Sequence, residues 1–229
     1  MDLGLTDKKV IITGGSRGIG RAIAERLLDE GATVAISARG QEGLDAAVEA
    51  LGERGTVHGS VVDVADEDAL TGWVTASANA MGGIDIIVSN ASGGGAGRTT
   101  AEAFQKTLDV DILGLVRMVD AAKPHLEASD AAAILAISTT AALEHFGDGM
   151  GSYHVLKAGL INLVAGYAQS LGGQGVRANA ISPGPIFVEG GGWDHSRPTC
   201  LPCMKGPSRH TRRSDSAPPR RSRTPRPSW

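Results

Sequence analysis

Tyr153 and Lys157 lie four residues apart in "GSYHVLKAGLINLVAGYAQSLGG", where apolar residues recur three and four apart, so on a helix the two side chains share one face. A phenol beside an ammonium suits proton transfer to or from a carbonyl or alcohol oxygen. Free phenol ionises near about pH 10, and a neighbouring positive charge favours the phenolate, moving it toward the range where it can work as a base. A second constellation, "TGGSRGIG" at residues 13 to 20, follows the first apolar run and opens a helical stretch. Glycines at 14, 18 and 20 allow a tight turn, close approach of the backbone to a pyrophosphate and close helix packing, with the helix N-terminus facing the anion. One region is thus suited to moving protons and another to holding phosphate.

Elements able to position both can be read from the spacing. The runs "KKVIIT", "ATVAIS", "TVHGSVV", "IDIIVS", "AAAILAIS" and "VRANAIS" are strand candidates, and continuous apolar runs of this length suit a parallel sheet covered on both faces. Segments with helical spacing lie between them, including long ones at 100 to 128 and 150 to 173, and often stop at glycine. Strands alternating with helices predict an α/β fold, a doubly wound parallel sheet of six strands in one domain over residues 1–195.

Composition breaks after Trp193. Residues 196–229 hold nine basic residues against one acid, Asp215, while the preceding body carries 13 basic and 24 acidic residues. An acidic body offers no electrostatic footprint for nucleic acid. The segment also has eight Arg, seven Pro and six Ser, with Leu201 alone to represent Val, Ile, Leu and Phe. Such a stretch buries too little to offset an ordering entropy of roughly 1 to 2 kcal/mol per residue, so a disordered basic tail is expected. Cys200 and Cys203 have the spacing of half a zinc site without a second pair, and no metal is expected. The body has no cysteine, the N-terminus has no apolar signal region, and the longest apolar run is too short to cross a bilayer. These features place the protein in the cytoplasm, without a membrane partner.

Four motifs in order carry a resemblance: "TGGSRGIG", "SNASGG" after the fourth strand, "YHVLK", and "ISPGPI" after the sixth strand. Over about residues 5 to 195 the chain resembles the short-chain dehydrogenase/reductase family. The resemblance implies a Rossmann-like sheet, a nicotinamide cofactor, and interconversion of a small carbonyl and an alcohol. Tyr153 would be the general acid/base and Lys157 its electrostatic partner. A hydroxyl after the fifth strand, Ser138 or Thr139 of "ISTT", would hold the substrate oxygen. Asp111, in "LDVDILG", stands where the family has an asparagine that supports a relay water; an ionised carboxylate accepts but cannot donate, and its charge would hold the lysine more tightly.

The same resemblance assigns the cofactor contacts. Gly14, Ser16, Arg17, Gly18, Ile19 and Gly20 form the phosphate loop, Asp63 and Val64 face adenine, and Asn90, Ala91 and Gly93 line the cleft. Pro183, Gly184 and Ile186 flank the nicotinamide beside Tyr153 and Lys157. Many NAD users have an acid after the second strand; here Ala38 precedes Arg39, which with Arg17 suits a ribose 2′-phosphate. NADP is therefore expected, with NAD the alternative. The family also implies a homodimer or homotetramer packed through the two long helices. Its usual lid, beginning near Trp193 and Asp194, and its seventh strand cannot be written into residues 196–229, which points to a truncated or frame-shifted end. A second reading follows from that change: a cofactor-binding remnant or interaction protein without turnover.

Overall fold

Valine, isoleucine and alanine on consecutive positions have no polar face to present to water, so strands built from them must be covered on both sides. A computed structural model of the chain describes residues 3–94, 98–144, 151–186 and 188. Its strands are β1 (Lys9–Thr13), β2 (Thr33–Ala38), β3 (Val57–Val61), β4 (Ile86–Ser89), β5 (Ala133–Ile137) and β6 (Arg177–Ile181). They form one sheet in the order β3-β2-β1-β4-β5-β6, every neighbouring pair parallel. The doubly wound sheet read from the sequence is the observed one, and β1 lies at its centre, where the strand order reverses.

Alternation along β1 divides the core. Val10 and Ile12 pack with Ala24 and Leu28 of α1 (Gly18–Asp29) and with Leu44, Ala47 and Leu51 of α2 (Gln41–Gly52). Ile11 faces the opposite layer, with Leu70 and Val74 of α3 (Glu67–Met81), Leu115 and Met118 of α5 (Gly114–Ala128), and Leu160 and Val164 of α6 (Ser152–Leu171). Each buried valine, leucine, isoleucine or methionine side chain contributes roughly 1.5 to 3 kcal/mol by leaving water. The Asp66 carboxylate caps α3 by accepting the Ala69 N–H at 3.0 Å.

The long helix expected over 100 to 128 is interrupted. α4 (Ala101–Thr107) runs into a π-helical turn, Leu108–Leu113, before α5 begins at Gly114. A Cβ at Gly114 would stand 2.5 Å from Val64 Cγ1, so the glycine lets the turn press against the loop after β3. The wider turn brings Asp111 to the interior, where it is 1% exposed. The expectations for Trp193, Asp194, the absent seventh strand and the tail 196–229, including Cys200 and Cys203, lie outside the described residues. Among the described residues no helix is long and apolar enough to cross a membrane.

Candidate active site

Because all six strands are parallel, the loops following them emerge along one edge of the sheet, and the predicted site residues are brought together there. The glycine loop leaves β1 with Gly14 at φ +68° and Gly18 at φ +58°, a region that disfavours side chains. Asn90, just past β4, pins this loop: its side-chain amide donates to the carbonyls of Thr13 and Gly14, both at 3.0 Å. In return the Thr13 hydroxyl accepts the N–H groups of Asn90 at 3.1 Å and Ala91 at 3.2 Å. A side chain at Gly20 would collide with that amide and with the Gly14 carbonyl, so Gly20 is a packing requirement beneath the loop rather than part of the cleft lining.

A cavity of about 430 Å³ opens above the loop. Gly14, Ser16, Arg17, Gly18 and Ile19 form one wall, and Arg39, Asp63 and Val64 line the part beyond β2 and β3. Asn90, Ala91 and Gly93 line the part beyond β4. Arg17 and Arg39 are exposed, and among the described residues neither has a carboxylate partner. Asp63 closes a turn by accepting the Ala65 N–H at 3.0 Å. Reading the sequence missed Ser37, the last but one residue of β2, which also lines the cavity. Its hydroxyl is buried with no hydrogen-bond partner among the described residues. Its place beside Arg39 at the strand's end was the available signal.

A second cavity of about 190 Å³ shares Ile19, Asn90 and Ser92 with the first, so the two are neighbouring parts of one crevice. It is lined by Ser138, Thr139, Tyr153, Lys157, Pro183, Gly184 and Ile186. The start of α6 is fixed by Ser152, whose N–H donates to the Arg98 carbonyl at 2.9 Å and whose hydroxyl lies 3.0 Å from that of Thr107. One turn along α6, the Lys157 ammonium is 5.8 Å from the centre of the Tyr153 ring. It donates to the Ile137 carbonyl at 2.6 Å and lies 2.9 Å from Asp111 Oδ1. Among the described residues that oxygen has no aligned donor, so the contact is an ion pair without a well-directed hydrogen bond. Asp111 Oδ2 accepts the Gly93 N–H at 2.8 Å.

The two candidate hydroxyls separate. Ser138 is buried and donates to the Lys157 carbonyl at 3.0 Å, which ties β5 to α6. Thr139 shares the small cavity with Tyr153 and acts on its phenol, while its own oxygen accepts the Ala141 N–H at 3.2 Å. Burial pushes the phenol above its ordinary value, the Thr139 hydroxyl pulls it down, and the Asp111 charge pushes it up again. The positive charge nearest the phenol, Lys157, is itself met by the Asp111 carboxylate at 2.9 Å. His154 turns back to its own helix start, where Nδ1 accepts the Gly151 N–H at 3.2 Å, and meets Tyr153 edge-on at 5.9 Å. Among the described residues no group of three or more His, Cys, Asp or Glu is placed to hold a metal ion.

A family model described as enoyl-(acyl carrier protein) reductase matches residues 14–191. Isoepoxydon dehydrogenase of Penicillium expansum is 37% identical over 195 residues, 83% of this chain and 75% of that protein. Dehydrogenase/reductase SDR family member 4 of Oryctolagus cuniculus is 36% identical over 187 residues, 80% of this chain and 72% of that protein. The chain belongs to the short-chain dehydrogenase/reductase family. Among solved structures, a short-chain dehydrogenase of Burkholderia cenocepacia in complex with NADP superposes with a TM-score of 0.75 at 33% identity, covering 81% of this chain and 77% of that one. L-sorbose reductase of Gluconobacter frateurii, complexed with NADPH and L-sorbose, gives 0.78 at 31% identity, covering 82% and 73%. Family membership makes the crevice at the strand ends that of an oxidoreductase fold.

Proposed function

We propose that this short-chain dehydrogenase/reductase interconverts a small carbonyl and its alcohol using NADP(H). The observation that carries the reading is the meeting of Tyr153, Thr139 and Lys157 in a crevice continuous with the glycine loop. The residues present fit a phosphorylated dinucleotide. The left-handed glycines leave room for a pyrophosphate against the backbone, and two guanidiniums without carboxylate partners among the described residues lie where a 2′-phosphate would arrive. The buried Ser37 hydroxyl beside them has no hydrogen-bond partner among the described residues. NADP and NADPH in the related solved structures add support for NADP over NAD.

In this reading Asp63 and Val64 contact adenine; Asn90, Ala91 and Gly93 contact the middle of the cofactor; Pro183, Gly184 and Ile186 border the nicotinamide. A bound nicotinamide supplies or takes up the hydride. Tyr153 gives its phenolic proton to the carbonyl oxygen as charge develops there, and takes it back in the reverse direction. Thr139, in the same cavity as that phenol, holds the same oxygen, and Ser138 fixes the backbone that carries Lys157. Lys157 places a positive charge one helical turn away, and Asp111 and the Ile137 carbonyl hold it still. The proposal includes a homo-oligomer packed through the helical stretch 101–128 and α6, in the cytoplasm.

Titration of NADPH fluorescence, followed by assay of hydride transfer to a panel of small ketones, tests this reading. Tight NADPH binding with turnover is the expected outcome. Binding without turnover would favour the cofactor-binding remnant, and failure of either NADPH or NADH to bind would overturn both readings.

A further inference from the structure

The ion pair beneath Tyr153 carries an inference that rests on the carbonyl/alcohol reading and deepens it. Lys157 and Asp111 are 3% and 1% exposed, and the carboxylate is fixed at its other oxygen by the Gly93 N–H. The charge that would favour a phenolate at Tyr153 is therefore compensated 2.9 Å away by a group that cannot swing into water. At the phenol, the fields of an ammonium and an adjacent carboxylate largely cancel.

We propose that Asp111 is a positioning residue that neutralises Lys157, keeps Tyr153 protonated, and so sets the site to deliver protons to a carbonyl oxygen across a wide pH range. The step balances. The carbonyl carbon gains a hydride from reduced nicotinamide, its oxygen gains the Tyr153 proton, and the phenolate recovers a proton from solvent. The equilibrium of the reaction is untouched; what changes is the fraction of enzyme in the form that each direction requires, protonated for reduction and ionised for oxidation.

Beside burial, the charged groups among the described residues leave Asp111 as the carboxylate that biases Tyr153. On α6 they are Lys157 and His154, the latter turned to the Gly151 N–H. β5 and the short 3-10 turn Thr140–Ala142 contribute no titratable side chain. From α4, Glu102 and Lys106 are exposed, Asp109 of the π-helical turn accepts from Gln105 at 2.8 Å, and Arg177 of β6 is exposed. Asp111 also raises Tyr153 in its own right, after burial, the largest cause.

The chain has two tyrosines, so each can be followed by NMR of the full chain with isotope-labelled tyrosine, Tyr167→Phe assigning the signals. In the wild type, Tyr153 is expected to ionise above the ordinary tyrosine value. Asp111→Asn, which can still accept the Gly93 N–H, should lower it by about one pH unit, the scale of one nearby charge on a buried neighbour. Tyr167 should not move, and Asp111→Glu should keep the wild-type value. The rising limb of alcohol oxidation against pH should shift with Tyr153. A wild-type Tyr153 that ionises at or below the ordinary value overturns the proposal without any variant. A folded Asp111→Asn protein whose Tyr153 stays put or rises does the same. The titration needs no turnover, so a protein that shows the shift but transfers no hydride sinks the functional reading and leaves the charge coupling standing.

Discussion

Replacing Lys157 by methionine keeps the length of the side chain and deletes its charge, which isolates the cost of leaving Asp111 alone. In the native protein the two side chains are 3% and 0% exposed and 2.9 Å apart. Removing one member of such a buried pair typically costs about 3 to 5 kcal/mol, because the remaining charge has neither water nor partner. Asp111 keeps one backbone donor, the Gly93 N–H at 2.8 Å, which offsets part of the penalty. The lost hydrogen bond to the Ile137 carbonyl adds about 1 kcal/mol. A loss of about 3 to 4 kcal/mol near neutral pH is expected. The orphaned carboxylate sheds its charge by taking up a proton in the folded state, so the variant should recover stability relative to wild type as pH falls to about 5. Adding Asp111→Asn to Lys157→Met should restore roughly 2 kcal/mol at neutral pH, because the buried charge is gone. Urea unfolding of all three proteins by circular dichroism at both pH values measures these differences. A Lys157→Met loss under about 1 kcal/mol, a loss independent of pH, or a double variant as weak as the single one would refute the reasoning.

Tyr153→Phe should cut hydride transfer by at least about a hundredfold while leaving NADPH affinity within a few-fold, read by turnover and fluorescence titration; equal losses in both would assign the ring to binding instead. Arg39→Ala should weaken NADPH binding by roughly 10 to 100-fold and leave NADH unchanged, since one charge-assisted hydrogen bond is removed; an equal effect on both cofactors would argue against a 2′-phosphate contact. Tyr167 is pushed up to about 12 by burial, with the Asp120 charge adding to it. The folded state thus holds that proton more tightly than the unfolded state. The associated stability is fully present below about pH 10 and is lost as pH rises toward about 12. Tyr167→Phe should flatten that alkaline loss by about 1 kcal/mol after allowing for solvent screening of a half-buried ring, and urea unfolding across the window checks it.

Most of the sheet was legible because β1, β2, β4 and β5 are short, nearly continuous apolar runs, a pattern that survives without any tertiary information. The Tyr153–Lys157 pair was legible for a related reason: a separation of four on a helix is geometry that local structure alone imposes. The π-helical turn was not, because apolar spacing continues unbroken through "LDVDILG" and nothing local marks the wider turn. The burial of Tyr153, the largest cause that raises it, was hidden as well, since burial is a tertiary property. That Asp111 would hold Lys157 was legible through the family resemblance; that the pair would be buried depends on that turn and on the close contact of Gly114 with Val64, which lie 50 residues apart. The choice between Ser138 and Thr139 was hidden likewise, since adjacent residues leaving a strand point in opposite directions and only α6 decides which one meets the phenol.

The arrangement follows from strand direction more than from any single motif. In a parallel sheet each crossover returns the chain to the same starting edge, so every loop that follows a strand opens on the opposite edge. Gly14 follows β1, Arg39 β2, Asp63 β3, Asn90 β4, Thr139 β5 and Pro183 β6, and all six line one crevice. β1 and β4 are neighbours in the sheet, yet the helices that follow them depart to opposite faces, and the gap between them is where Asn90 reaches across to the glycine loop. The same hydrogen bonds that hold the anion cradle open therefore also set the distance from that cradle to the proton-carrying side of the crevice. Asn90 borders both cavities, so a change there should disturb cofactor position and proton transfer together, whereas Arg39 and Tyr153 should each disturb only one.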